Sequence, residues 1–154
     1  MAFMRWVVIV LFAQVWFFST STVAVASEDS LRADVKPEHR TIFVNRYGGT
    51  YRRGRDDSAM NTSQIPKMEV ATVPAFPYGD ESWNEVVTCV REIFSPFAVE
   101  VTDVEPPPES VYLESVVGGL PSDLGLDPEV GGIAPNSSCE VVEKGINFTF
   151  MVWG

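Results

Sequence analysis

The order of apolar and polar positions along the chain predicts one helix set among several strands. Apolar residues recur at helical spacing from Trp83 to Phe94, which indicates an amphipathic helix with Asp80 as its N-cap and an end before Pro96. Short runs that are rich in β-branched and aromatic residues, or that alternate in polarity, predict strands. These runs cover residues 41–45, 97–104, 111–117 and 146–153.

The arrangement of these elements predicts an α+β fold. A strand, a helix and a strand in succession favour parallel pairing of residues 41–45 and 97–104 with a right-handed crossover. The run 146–153 is apolar on both faces near its end, so it should lie in the interior of the sheet. We therefore expect a twisted mixed β-sheet of about five strands with one main amphipathic helix.

Two stretches between the first strand and the helix lack a clear period. Residues 46–67 are polar and carry several arginines and aspartates, which predicts a solvated loop. Residues 70–77 are mostly apolar but contain Pro74 and Pro77. Because proline cannot donate a ladder hydrogen bond, this stretch is expected to run extended over the core and not to form a central strand.

The first 26 residues have the composition of a secretory signal peptide. They contain a single charged side chain, Arg5, then an apolar run of about 13 residues from Trp6 to Phe18, and end on Ala24-Val25-Ala26. The run is shorter than the ~20 residues that span a bilayer, so no stable membrane anchor is expected after cleavage. The chain is therefore predicted to be secreted, with a flexible polar arm at residues 27–40.

Charge and residue counts exclude several functions. Asp and Glu number 21 against 11 Lys and Arg, for a net charge of -10, so the chain is a poor ligand for phosphate backbones and no nucleic-acid partner is expected. One histidine, His39, and two cysteines exclude multi-histidine and four-cysteine metal sites. His39 lies in the polar arm, and no local sequence feature supports a catalytic base there.

The two cysteines, Cys89 and Cys139, predict a disulfide in an oxidising compartment. The bond would close a loop of about 50 residues, worth roughly 3–4 kcal/mol in the chain-entropy model. Two free buried thiols are the alternative, because spacing in sequence does not show that the sulfurs approach each other.

Three acids follow the Gly118-Gly119 pair in a proline-containing loop: Asp123, Asp127 and Glu129. Oxygen ligands from one loop suit Ca²⁺, so these residues are weak calcium candidates. Their spacing does not match the 12-residue calcium loop, which favours the alternative of a solvated acidic loop.

Several stretches together resemble the N-terminal subdomain of metzincin zinc metalloproteases, especially the secreted bacterial matrixin-like proteins. The resemblance covers residues 40–153 and includes the order of strand, excursion, helix, strand, strand, edge segment and strand. The stretches that carry it are IFVNRYGGTY, SWNEVVTCVREIF running into FAVEVTDVEP, the pair VVGG and GGIAP, and the last strand INFTF.

The resemblance does not supply catalytic residues. In that family the last strand leads into a helix with the motif H-E-x-x-H-x-x-G-x-x-H, whose histidines bind zinc and whose glutamate polarises zinc-bound water. These 154 residues contain no H-E-x-x-H. No catalytic or metal-binding residue is therefore carried over, and zinc is expected only with a missing C-terminal half. Residues 41–154 are interpreted as a single, incomplete subdomain.

One binding element is implied by the resemblance. The family's edge strand pairs with extended substrate, and the matching stretch is Gly131, Gly132, Ile133, Ala134 and Pro135. Such an edge could bind a peptide by β-addition, or it could simply be a covered edge.

Two functions remain open, each with a peptide or protein as the partner. One is a truncated or split secreted zinc metalloendopeptidase that is inactive alone. The other is a secreted non-catalytic binding module that is stabilised by one disulfide. A hydrolase built on a carboxylate pair is a third interpretation, but no spacing in the sequence identifies such a pair.

Overall fold

The computed structural model describes residues 40–136 and 142–151. These residues belong to one compact unit. The predicted signal peptide, His39 and Cys139 lie outside the described residues. Within the described ranges, no helix has the length and apolar character that crossing a membrane requires.

Eight strands, one α-helix and two short 3-10 helices make up the described part of the chain. The α-helix, α1, spans Gly79–Phe94, and the 3-10 helices span Ser58–Met60 and Pro121–Leu124. The strands are β1 (Arg40–Asn45), β2 (Gly49–Arg53), β3 (Thr62–Ser63), β4 (Val70–Val73), β5 (Val99–Thr102), β6 (Tyr112–Val117), β7 (Gly132–Ile133) and β8 (Ile146–Thr149).

The main sheet has five strands in the order β5-β1-β6-β8-β7. β1 pairs in parallel with β5 and with β6, and β6 pairs in parallel with β8, whereas β7 runs antiparallel to β8. The predicted α+β fold, with a mixed sheet of about five strands and one main helix, is confirmed. The predicted parallel pairing of the first strand across the helix and the interior position of the last strand are also confirmed.

A second sheet lies where the sequence predicts a loop. β2, β3 and one 3-10 helix all fall within residues 46–67, and the second sheet has the order β3-β2-β4. The loop prediction was wrong because β2 presents only one buried side chain, Tyr51, between exposed Thr50 and Arg52. A strand with a single inward residue leaves no hydrophobic period to detect.

The main sheet is covered on both faces, which gives three layers. On one face, Trp83 and Val87 of α1 pack in a cluster with Val44 and Val117. On the other face, side chains of the second sheet pack against β6 and β8, in a cluster that includes Tyr51, Ala71, Val73, Val116, Ile146 and Phe148. The two faces of one sheet thus belong to separate apolar clusters.

The helix ends before Pro96 as predicted, but it begins at a different residue from the predicted one. Tyr78 is the N-cap residue and makes no capping hydrogen bond through its side chain, so the prediction of Asp80 as N-cap was wrong. Asp80 instead lies in the first turn, where its Oδ1 is 2.8 Å from Arg46 Nη1. Ile93 is 61% exposed because it lies at the margin of the apolar stripe that Trp83 and Val87 centre on the sheet.

Candidate functional site

The two edge strands of the main sheet, β7 and β5, differ in how their outward backbone groups are used. An edge strand carries unpaired N–H and C=O groups that can pair with another chain. The register of each strand fixes which residues turn these groups outward. The two edges therefore can be compared residue by residue.

At the β7 edge, the backbone of Gly132 faces away from the sheet. Gly132 lies opposite Thr149, Ile133 lies opposite Phe148, and the N–H of Phe150 donates to the C=O of Gly131 at 2.9 Å. Since hydrogen-bonded and outward-facing residues alternate along an antiparallel pair, the N–H and C=O of Gly132 point outward. Gly132 is exposed, and no described group occupies its outward N–H or C=O.

At the β5 edge, the chain's own groups occupy part of the backbone. The N–H of Arg40 donates to the C=O of Ala98, which turns the backbone groups of Val99 and Val101 outward. Arg91 Nε donates to the C=O of Val101 at 3.2 Å, and the N–H of Val99 donates to the C=O of Phe97 at 2.8 Å. Counting only contacts between described residues, the predicted edge segment is thus the less obstructed of the two edges.

Arg91 is held over the β5 edge by a second contact. Its Nη2 lies 3.1 Å from Asp103 Oδ1, just beyond the end of β5. Both groups are partly exposed, so the ion pair itself contributes little stability, but it restrains the guanidinium near the strand.

The sequence did not predict a buried polar cluster between the two sheets. Glu114 is 2% exposed, and its Oε1 accepts hydrogen bonds from Asn45 Nδ2 at 2.7 Å and from Tyr51 Oη at 2.9 Å. Its Oε2 has no hydrogen-bond partner among the described residues. The available signal was a glutamate at the inward position between Tyr112 and Val116 of an alternating strand.

The environment of Glu114 favours its neutral form. Burial raises the pKa of the Glu114 carboxyl, and the charge of Glu105 raises it further, whereas the hydrogen bonds from Asn45 and Tyr51 lower it. Burial and the Glu114 carboxyl also raise the pKa of the Tyr51 phenol. A carboxyl closed to solvent in this way joins elements of the fold, and it offers no surface to a substrate.

The same cluster shapes the turn between β1 and β2. Asn45 Nδ2 also donates to the C=O of Gly48 at 2.9 Å, and Asn45 Oδ1 accepts from the N–H of Tyr47 at 2.7 Å. Glu114 on β6 is therefore connected, through Asn45, to the chain segment that links the two sheets.

Two of the three calcium candidates, Asp123 and Asp127, use a carboxylate oxygen within their own turns. Asp123 Oδ2 accepts from the N–H of Leu120 at 2.7 Å, and Asp127 Oδ1 accepts from the N–H of Glu129 at 3.0 Å. Among the described residues no three His, Cys, Asp or Glu side chains are grouped so that they could hold a metal ion. Calcium binding by Asp123, Asp127 and Glu129 therefore stays a prediction, which the contacts of the described residues do not support.

The predicted disulfide is described at one end only. Cys89 lies on α1 and is exposed, and Cys139 lies outside the described residues. The pairing of Cys89 with Cys139 stays a prediction.

No family model, no curated protein and no solved structure matches the chain. The geometry of the two edges is therefore the basis for a functional proposal.

Proposed function

We propose that this chain is a secreted metalloprotease-like protein, the sheet-bearing part of a metzincin-type zinc metalloendopeptidase. The zinc-binding helix is not among these 154 residues, and the chain is inactive alone. The main support is the β7 edge, where Gly132 of the GGIAP stretch turns its N–H and C=O away from β8. This is the stretch that the resemblance assigns to extended substrate.

In this proposal β7 binds an extended peptide or protein segment by adding a strand to the sheet. Main-chain hydrogen bonds supply affinity in such complexes, and adjacent side chains supply specificity. Gly132 contributes no side chain that would cover its own backbone. The partly exposed Ile133 packs with the apolar cluster on the second-sheet face, which anchors the short strand.

In this proposal zinc would be bound by residues that are not among these 154. Zinc would polarise a carbonyl and activate water when bound, but the described residues supply no ligand set and the sequence has one histidine. We therefore derive no catalytic step. The purified chain, loaded with zinc and dialysed, is expected to retain no stoichiometric zinc and to leave casein intact. Stoichiometric zinc or casein cleavage would overturn the proposal.

Peptide binding at β7 is tested with two substitutions of one residue. The probe is a blocked Ala-Val-Thr-Val-Ala peptide. Its binding is followed by changes in the amide chemical shifts of the ¹⁵N-labelled chain. Gly132→Pro removes the outward N–H and should abolish the shifts near β7. Gly132→Ala is the matched control because it keeps the N–H. Its Cβ would lie 3.2 Å from the Phe148 carbonyl oxygen, and the proline variant shares this contact. Equal binding by both variants would exclude backbone pairing at Gly132.

A non-catalytic binding module is the second candidate function, and the buried apolar clusters on the two faces of the main sheet favour it. Trp83, Val44, Tyr51 and Phe148 are all buried within the described residues, so the sheet has an apolar core on each face. The nucleotide sequence after codon 154 separates the candidates. An H-E-x-x-H motif in any frame supports the protease, and its absence from all frames, together with peptide binding, supports the module.

A further inference from the structure

The outer edge of β5 has the geometry for symmetric pairing with a second copy of the same strand. A two-fold axis at Glu100 would place Val99 opposite Val101 of the second copy, and Val101 opposite its Val99. Both residues turn their N–H and C=O outward in the main sheet. Because directly opposed outward residues exchange two hydrogen bonds in an antiparallel pair, this arrangement would form four.

Arg91 occupies one acceptor that this pairing needs. Its Nε donates to the C=O of Val101, and its Nη2 contacts Asp103, so the guanidinium lies across the edge. By symmetry it would block one bond at each end of the paired strands. The second occupied group, the N–H of Val99, is bonded to the C=O of Phe97, two residues before it.

Glu100 opposes the same pairing through its charge. It is exposed at the centre of β5 and forms no ion pair with any described residue. Across the two-fold axis it would face Glu100 of the second copy at a non-hydrogen-bonded position, where side chains approach most closely. Like charges directly opposite each other destabilise a strand pair.

We propose that the β5 edge is a latent pairing surface for a second copy of this chain, held closed by Arg91 and Glu100. The carbonyl contact of Arg91 removes acceptors from the ladder, and the carboxylate of Glu100 makes the two-fold alignment repulsive. Natural sheets commonly use charged residues in this way to limit edge-to-edge association. The inference is independent of peptide binding at β7.

The test replaces both residues and measures mass. The Arg91→Ala/Glu100→Thr variant is expected to double its mass in light scattering as protein concentration rises, while the original chain stays monomeric. The amide of Val101 has no hydrogen-bond partner among the described residues, so it should gain protection from hydrogen exchange in the dimer. Adding Val101→Pro removes this N–H and should restore the monomer.

A matched control changes the same residue types elsewhere. Arg52 on β2 and Glu85 on α1 are both exposed, and the Arg52→Ala/Glu85→Thr variant should remain monomeric. The proposal is overturned if the edge variant stays monomeric with an intact circular dichroism spectrum, or if its dimer leaves the Val101 amide unprotected. A control variant that dimerises equally, or an original chain already paired through β5, would also overturn it.

Discussion

Glu114 is the buried carboxyl group around which the two sheets meet. One of its oxygens accepts two hydrogen bonds, from Asn45 and Tyr51, and the other accepts none from the described residues. Leaving a charged oxygen without a partner in an apolar environment is costly. Protonation of this carboxyl group is therefore favoured in the folded chain, and Glu114 links the stability of the fold to pH.

The free energy of unfolding should fall as pH rises above the ordinary Glu pKa of 4.5, because burial raises the pKa of Glu114 in the folded chain. The stabilising contribution is complete below the unfolded-state pKa and is lost as pH rises through the folded-state pKa. Between the two values each pH unit costs about 1.4 kcal/mol. Urea unfolding at several pH values measures the effect.

Glu114→Gln is the matched variant for this pH dependence. The amide oxygen can still accept from Asn45 and Tyr51, but the side chain does not titrate. The difference in unfolding free energy between the two proteins should therefore shift in favour of the glutamine variant as pH rises. A difference that is constant with pH would show that Glu114 does not titrate as its burial implies.

Gly48 and Gly79 share a left-handed backbone but differ in the space around them. Gly48 has φ +66° and Gly79 has φ +76°. A Cβ on Gly48 would overlap the carbonyl oxygen of Val73, whereas a Cβ on Gly79 would meet no atom within 4 Å. Gly79→Ala should cost roughly 1–2 kcal/mol for the backbone conformation alone.

Gly48→Ala should cost more than Gly79→Ala, because the Val73 carbonyl belongs to β4 and cannot move without disturbing the second sheet. Chemical denaturation of the two variants gives the comparison. Equal losses would mean that the turn between β1 and β2 shifts freely, contrary to the hydrogen bond between Asn45 and the Gly48 carbonyl.

Among the secondary-structure elements, the sequence predicted those whose apolar residues form a clear pattern. α1 has apolar residues at helical spacing from Trp83 to Phe94, and β6 lies in a run rich in aromatic and β-branched residues, so both were identified from their patterns. β2 and β3 are short and mostly exposed, and their pairing depends on neighbours that are distant in sequence. Local patterns cannot report such pairing, which explains why this sheet was predicted as a loop.

Two apolar residues of α1, Val87 and Ile93, differ strongly in burial. Val87 is 2% exposed in the cluster beneath the helix, and Ile93 on the same helix lies largely in solvent. Val87→Ala should destabilise the fold by about 2 kcal/mol through lost burial and the cavity that remains. Ile93→Ala should change the unfolding free energy by less than about 0.5 kcal/mol. A similar loss for both variants would show that α1 packs differently.

For the whole molecule, the position of β7 at the sheet edge was predictable, but the direction of its backbone N–H and C=O groups was not. Gly131, Gly132 and Pro135 indicate an edge because glycine weakens a strand and proline cannot donate to a ladder. Which backbone groups face outward depends on the register between β7 and β8, since a shift of one residue reverses it. The contact between Arg91 and the Val101 carbonyl likewise depends on how α1 lies over β5.

The predicted disulfide is the one covalent link that would act on the whole molecule. Cys89 lies on α1, on one face of the main sheet, and is exposed. A bond to Cys139 would close a loop of about 50 residues that contains β5, β6 and β7, and it should raise the free energy of unfolding by roughly 3–4 kcal/mol. Urea unfolding with and without reductant measures this difference.

The Cys89→Ser/Cys139→Ser variant controls for other effects of the reductant. Its unfolding free energy should match that of the reduced chain and should not respond to reductant. Intact mass should also show that the oxidised chain lacks two hydrogens and carries no thiol-reactive label. A labelled Cys89 in the oxidised, folded protein would contradict the disulfide, and stabilisation of the whole fold would then rest on the two apolar clusters that flank the main sheet.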